Sequence, residues 1–182
     1  MWWIIAFTLG VIALFLWLTY NSLVKLENTV EIAWSQIDVE LKRRHNLIPN
    51  LVQTTKEYMK YESEVLNKII EARNRAVEVD QITQQAEAES KLNQSLDQLI
   101  GLIEDYPELK ADKNFLKLQE ELVSTENRIA FGRQSYNDAV LYLNNKIEMF
   151  PASLIANLFN FKAKDYFEIK YERERAALKI DM

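Results

Sequence analysis

The sequence is poor in the residues that turn a chain. Its 182 residues include three Gly, three Pro, one His and no Cys. Average usage would supply roughly 20 Gly and Pro residues in a chain of this length. Six are too few for a β-sandwich, a β-barrel or a doubly wound α/β fold, because such folds reverse direction about every ten residues. The composition therefore favours a few long helices.

The same absences exclude most catalytic and metal sites. Without Cys the chain has no disulfide, no thiolate nucleophile and no Cys-ligated metal site. Because His45 is the single histidine, sites built from several histidines are excluded. The formal net charge of -5 argues against nucleic-acid binding, which normally needs a basic excess. We therefore predict a non-enzymatic protein with no cofactor, no metal, no small-molecule substrate and no nucleic-acid partner.

The N-terminal segment is apolar and lacks charge. Residues 1–24 carry no charged side chain, and residues 2–20 are almost continuously apolar. A helix of that length extends about 28 Å, close to the ~30 Å hydrocarbon core of a bilayer. A cleaved signal peptide would start with basic residues, and a core helix would show a polar face. We therefore predict an uncleaved transmembrane anchor over 1–24, with aromatic rings at the two membrane interfaces: Trp2, Trp3, Trp17 and Tyr20.

The orientation of this anchor is predicted from the basic residues beside it. No basic side chain precedes the span, and Lys25, Lys42, Arg43 and Arg44 follow it. The positive-inside tendency then places the N-terminus outside and the C-terminal part in the cytoplasm.

Apolar residues at steps of three and four predict three further long helical stretches. The first continues from the span, passes Pro49 in phase and ends near Val79, and two helices that meet at 46–49 are the alternative. The second covers 81–104 and has a Gln- and Glu-rich face, which we interpret as solvated; this face includes Gln85 and Glu89. The third covers 115–150, and residues 152–159 can form a short fourth helix.

The predicted fold is all-α: a transmembrane helix that continues into an antiparallel bundle of three or four long helices. Its predicted divisions are an anchor over 1–24, a helical bundle domain over 25–160 and a C-terminal tail over 161–182, whose structure the pattern does not define. Helix kinks or corners are expected at Pro49, Pro107 and Pro151, because proline interrupts helices.

Several polar residues lie on or beside the apolar seams. We interpret them as buried groups that fix the register between helices. Gly132 lies on the third seam, where it would let a neighbouring backbone come close. His45 is interpreted as a surface residue or a residue next to the Pro49 kink. A catalytic alternative would require Glu62 and Glu126 side by side in a wet, concave pocket. The candidate register residues are Asp38, Arg44, Glu62, Arg73, Glu126, Arg133 and Asn137.

The motifs resemble those of the LemA family of bacterial membrane proteins over nearly the whole chain. Two positions depart from the family pattern, since Leu143 stands where a Tyr is usual and Asn160 where a Gly often precedes Phe161. The motifs that carry the resemblance are, in chain order, Tyr20-Asn21, Leu23-Val24, Trp34-x-x-Ile37-Asp38-x-x-Leu41-x-x-Arg44, Leu47-Ile48-Pro49-Asn50-Leu51-Val52, Glu62, Ala72-Arg73, Tyr106-Pro107-x-Leu109-Lys110-Ala111, Phe115, Leu118-Gln119, Glu121-Leu122, Glu126, Ile129-Ala130, Arg133, Tyr136-Asn137 and Phe150-Pro151.

The resemblance implies a single span followed by a helical bundle in the bacterial inner membrane, and it supplies no catalytic residue. Family members include proteins encoded beside membrane metalloproteases and relatives linked to magnetosome membranes. We therefore expect an adaptor or scaffold that binds proteins, or itself, at the membrane face, with membrane-protein quality control as one form of this role. The alternative is a structural membrane organiser that self-assembles through aromatic and basic surface near the tail. An uncharacterised enzyme is the least favoured alternative.

Overall fold

All regular secondary structure in the computed structural model, which describes residues 1–79 and 81–168, is helical. This confirms the all-α prediction, whereas the bundle stays a prediction. Most of the tail prediction falls on residues 169–182, outside the described residues. The helices are α1 (Trp2–Lys56), α2 (Ser63–Glu78), α3 (Ile82–Ile103), α4 (Pro107–Lys110), α5 (Lys113–Glu148) and α6 (Ala152–Leu158).

Helix α1 continues through Pro49 but ends at Lys56, so the prediction of one helix to Val79 is wrong in its end point. The alternative of two helices that meet at 46–49 is also wrong. The apolar spacing continues beyond the helix because Met59 is buried in the turn that follows it. Two backbone bonds shape that turn, since the amides of Tyr58 and Met59 both donate to the carbonyl of Thr55. An apolar phase can thus survive a break in the helix.

The other predicted helices lie close to their expected positions. Helix α3 covers 82–103 against the predicted 81–104, and α6 covers 152–158 against 152–159. Helix α5 begins at Lys113 because Asp112 caps it. The Asp112 carboxylate accepts the backbone N–H groups of Asn114 and Phe115, each at 2.9 Å. An N-cap carboxylate satisfies amides that have no partner within the helix.

The described chain divides into two compact units, and unit 1 comprises residues 1–43 and 123–166. Within it α5 runs antiparallel to α1, because residues later in α5 contact residues earlier in α1. A Cβ added at Gly132 would lie 2.9 Å from the Ile37 side chain. The close neighbour of Gly132 is therefore this side chain, and not the backbone that the sequence suggested. The contacts that set the direction are Arg128 with Glu40, Gly132 with Ile37 and Tyr136 with Trp34.

Unit 2 comprises residues 44–122 and, in the described chain, 167–168. Its apolar core is contributed by the end of α1, by α2, α3 and α4, and by the start of α5. Burial of this set is the main driving force for folding of the unit. The core residues are Ile48, Leu51, Val52, Met59, Leu66, Ile69, Ala76, Leu92, Leu96, Leu99, Ile103, Leu109 and Phe115.

Candidate functional sites

The first candidate site is the exposed apolar start of α1. Residues 2–18 of this helix are almost wholly apolar, and every one of them is exposed. The described residues therefore include one helix that is long and apolar enough to cross a membrane. Its low burial distinguishes it from a core helix of a soluble protein, whose apolar side chains pack inside. The four predicted interface aromatics, Trp2, Trp3, Trp17 and Tyr20, are all exposed on this segment.

The second candidate site is a buried polar cluster in unit 2. We use the name for five residues, Arg44, His45, Arg73, Gln85 and Glu89. His45 Nε2 lies 2.7 Å from Glu89 Oε1, and the Gln85 amide donates to the same oxygen at 3.0 Å. Arg44 lies 3.8 Å from the other carboxylate oxygen, and its side chain is 4% exposed against 8% for Glu89. Burial of a carboxylate is costly unless the group is paired and hydrogen-bonded, as Glu89 is here.

Pro49 connects the polar cluster to the backbone of α1. A proline has no N–H, so the carbonyl four residues earlier, that of His45, loses its usual helical partner. The Arg73 guanidinium of α2 donates to that carbonyl at 3.1 Å. Gln85 makes a similar link, since its amide donates at 3.0 Å to the carbonyl of Ala76 near the end of α2. The cluster therefore ties α1, α2 and α3 together through side-chain to backbone bonds.

Three residues of the cluster are buried where the sequence pattern predicts exposure. Gln85 and Glu89 were expected on a solvated face, and His45 was interpreted as a surface or kink-adjacent residue, but all three are buried. The spacing carried a signal for the first two. The α3 seam Leu92, Leu96, Leu99, Ile103 steps by four, three and four, and continuing this rhythm backwards gives Glu89 and then Gln85. Their polar side chains indicated solvent, because the residues of α1 and α2 that contact them are distant in sequence.

The seven candidate register residues lie in different environments. Arg44 is buried in the polar cluster, and Arg73 is partly buried beside it. Asp38 and Asn137 are partly buried, and Asp38 forms an ion pair with Lys42 at 2.5 Å within α1. Glu126 and Arg133 are exposed, one position away from the buried seam of α5, so the expected burial does not hold for them.

Glu62, the remaining register candidate, accepts a hydrogen bond from the Tyr106 hydroxyl in unit 2. Glu126 belongs to unit 1, so the two carboxylates named in the catalytic alternative lie in different units. Within the described ranges, no group of three His, Asp or Glu residues is arranged to hold a metal ion.

The three prolines that were expected at kinks or corners occupy two kinds of position. Pro49 lies inside α1, whereas Pro107 starts α4 and Pro151 immediately precedes α6.

Three tyrosines have pKa values above the ordinary value because of their neighbours. Hydrogen bonds to carboxylates raise the pKa of Tyr58, beside Asp112, and of Tyr106, beside Glu62. Burial, with a smaller effect of the Asp165 charge, raises the pKa of Tyr136 to about 12. The Tyr136 hydroxyl donates to the Asp165 carbonyl at 2.9 Å, so it stabilises the return of the chain after α6. These tyrosines serve as hydrogen-bond donors within the fold.

Comparison with known proteins gives a consistent result. The LemA family model matches residues 33–182. Magnetosome protein MamQ 2 of Paramagnetospirillum magneticum is 25% identical over 177 aligned residues, which cover 83% of this chain and 65% of that protein. Protein LemA of Metamycoplasma hominis is 28% identical over 137 residues, which cover 75% of this chain and 63% of that protein. The chain thus spans less than two thirds of the length of either relative.

Proposed function

The chain belongs to the LemA family, and from this premise we propose that it is a non-enzymatic, membrane-anchored adaptor or scaffold that works through protein–protein contacts. The observation that carries the proposal is the exposed apolar start of α1. The later residues of the same helix are packed within unit 1 and unit 2. In this proposal residues 1–24 anchor the chain in the bacterial inner membrane, residues 25–160 form a helical bundle domain, and residues 161–182 form the tail.

A stripe on α1 just after the span supports the protein-binding part of the proposal. Asn28, Ile32, Ser35 and Val39 follow steps of four, three and four, the spacing of a seam that packs against another helix. Ile32 is 61% and Val39 is 62% exposed. A groove of about 710 Å³ runs along these residues. The partner would be a helix of another protein or of a second copy.

Site-directed cross-linking in native membranes tests this role. The natural absence of Cys means that Ile32→Cys introduces a single thiol with no background labelling. We expect a short bifunctional cross-linker at this position to give a discrete larger species, identified by mass spectrometry as one protein or as a dimer of the chain. The matched control is Val77→Cys, an exposed apolar position on α2. No adduct at position 32, or the same adducts at both positions, would contradict the proposal.

The anchor and its orientation are tested separately. The intact mass of the membrane-extracted chain distinguishes a retained anchor, which we propose, from a cleaved signal sequence. In the proposed orientation the N-terminus lies outside and the C-terminal part in the cytoplasm, following the basic residues after the span. A reporter fused after Met182 that is active only in the cytoplasm should therefore be active. A periplasm-specific reporter that is active instead would reverse the orientation.

The second candidate function is a structural membrane organiser that self-assembles. The likeness to magnetosome protein MamQ 2 of Paramagnetospirillum magneticum supports it. Reconstitution of the purified chain into liposomes, followed by electron microscopy, would show ordered arrays or a change of liposome shape. Liposomes that stay unchanged and unordered at high protein density would reject this candidate and leave the adaptor role. Membrane-protein quality control remains one form of that adaptor role.

A further inference from the structure

The corner between α5 and α6 combines high exposure with an absence of charge. Residues 149–161, which we call the α6 surface, contain no charged side chain over 13 positions. Contiguous exposed apolar surface on a protein usually marks a contact with another molecule or with a membrane. The large apolar side chains that are more than half exposed there are Met149 (64%), Phe150 (79%), Leu154 (64%), Leu158 (73%) and Phe159 (54%).

Two kinds of contact position the α6 surface: packing of the buried side of α6 against α1, and backbone hydrogen bonds at the end of α6. Ile155 and Ala156 are buried with Leu23 of α1, and Phe161 packs against this group. The N–H of Phe161 donates to the carbonyl of Ala156 at 2.9 Å, and that of Asn160 to the carbonyl of Asn157 at 3.3 Å. This pair of bonds is a Schellman motif, which requires a left-handed residue after the helix.

Asn160 supplies that left-handed conformation. Its φ is +58°, a region that favours Gly and that Asn adopts more readily than most other residues. Leu154 and Leu158 lie one helical turn apart, and both remain exposed while Ile155 and Ala156 are buried. The exposed apolar side chains therefore lie on one side of a helix whose other side is packed.

The α6 surface lies beside the end of the apolar run of α1. The ring of Tyr20 is 4.8 Å from the ring of Phe159 and 5.9 Å from that of Phe161, measured between centroids. Tyr20 is the last aromatic residue of the run, where such rings prefer the membrane–water interface. The burial of Leu23 against Ile155 places α6 within one helical turn of that level. If α1 crosses the bilayer, the α6 surface meets its interface.

We propose that the α6 surface is a second membrane contact, in which Phe150, Leu154 and Leu158 enter the boundary between lipid headgroups and acyl chains. The occupant is the lipid of the bilayer that α1 crosses, so the inference rests on the proposed anchor. Interfacial helices bury their apolar side about 5–10 Å deep at this boundary. Two adjoining contacts would fix the orientation of unit 1 on the membrane, whereas one helix alone would leave it free to tilt.

Fluorescence quenching of single-cysteine variants tests this contact in the full chain. Asn157→Cys places a thiol among the apolar residues of α6 and leaves all of them in place. Gln134→Cys is the matched control, because it replaces an exposed amide on α5 that lies further from the span. Each variant carries an environment-sensitive dye and is reconstituted into vesicles of phosphatidylethanolamine and phosphatidylglycerol. The quenchers are nitroxide groups on the lipid acyl chains and iodide in the water.

We expect nitroxide lipids to quench the dye at position 157 at least about threefold more than at 134, because of its shallow burial, and iodide to show the reverse order. Adding Leu154→Glu and Leu158→Glu to the 157 variant should remove the lipid quenching while circular dichroism shows the same helix content. Iodide quenching at 157 equal to that at 134 would overturn the proposal. Protection from both quenchers, with cross-linking between copies, would overturn it in favour of a protein contact.

A third label separates this inference from the anchor on which it rests. A Cβ at Gly10 meets no atom within 4 Å, so Gly10→Cys places a dye in the span without a steric clash. Lipid quenching at position 10 without quenching at 157 would reject the α6 contact alone. Absence of lipid quenching at both positions would reject the α6 contact and the membrane anchor together.

Discussion

Residues 2–18 and residues 44–45 belong to the same helix, α1, and both invert the usual relation between polarity and exposure. The first stretch is almost wholly apolar and exposed throughout, whereas Arg44 and His45 are polar and buried. What each stretch contacts explains the difference. Arg44 and His45 meet the carboxylate of Glu89, and the proposed surroundings of residues 2–18 are hydrocarbon. Each environment therefore requires the opposite chemistry, and substitutions that exchange the two should be costly.

The largest expected effect comes from removing the charge that compensates Arg44. Glu89→Gln leaves a buried guanidinium without its carboxylate, and breaking a buried pair in this way costs about 3–5 kcal/mol. Chemical denaturation of the detergent-solubilised chain, followed by circular dichroism, measures the change in the free energy of unfolding. Glu104→Gln, an exposed position after the end of α3, is the control and should change it by less than about 0.5 kcal/mol. Equal effects would show that the polar cluster contributes no specific stability.

The complementary change places a charge in the apolar stretch. Ile12→Arg should reduce membrane integration, because an arginine near the centre of a spanning helix costs about 2.5–3.5 kcal/mol on insertion scales. The measurement is the fraction of the chain that resists alkaline extraction from membranes. Ile32→Arg on the same helix, outside the proposed span, should leave that fraction unchanged. Loss of integration in both variants, or in neither, would contradict the assigned span.

Gly132 and Gly101 allow a smaller comparison of packed and open helix surfaces. Gly132→Ala pushes a methyl group to 2.9 Å from the buried Ile37 side chain, whereas Gly101→Ala meets no atom within 4 Å. Overpacking costs about 1–3 kcal/mol, and Ala in an open helix position gains about 0.5–1 kcal/mol over Gly. We expect the first variant to be less stable than the natural chain and the second to be more stable. Stabilisation by both would mean that Ile37 moves aside at little cost.

The smallest expected effect is a decline in stability at alkaline pH. The pKa of Tyr136 is raised to about 12 in the folded chain, against about 10 when unfolded, so the folded chain holds this proton more tightly. Its contribution is fully present below pH 10 and is lost as the pH rises through about 12. Tyr136→Phe should therefore flatten the pH dependence of the unfolding midpoint above pH 10. An unchanged slope in this variant would assign the alkaline decline to other groups.

Most of the helices could be predicted from the apolar periodicity and from the small number of Gly and Pro residues. The positions of α3, α5 and α6 came out within two residues, because Pro107 and Pro151 interrupt the pattern where the helices change. The end of α1 did not, since Met59 keeps the apolar phase through a turn that contains no proline or glycine. Proline and glycine therefore predict a helix end only where the turn itself contains one of them.

The candidate sites were less predictable than the helices. Arg44 could be marked from its place beside a seam, but Glu89 and Gln85 were assigned to solvent because an isolated polar residue normally favours water. Their burial depends on partners that are distant in sequence, 44 residues away for His45 and Glu89. The α6 surface was similarly hidden, since a short apolar helix ordinarily indicates core. Its exposure depends on which face packs against Leu23.

The helical fold, the uncharged side chains of residues 1–24 and the resemblance to the LemA family all follow from composition, local periodicity and motif order, which are properties of the linear chain. Three other features appear only in the folded chain: Glu89 lies beside buried Arg44, Arg73 donates to the His45 carbonyl that Pro49 leaves without a helical partner, and α6 exposes Leu154 and Leu158 beside Tyr20. Burial and pairing of side chains depend on distance in space. Residues far apart in sequence come together only when the helices pack.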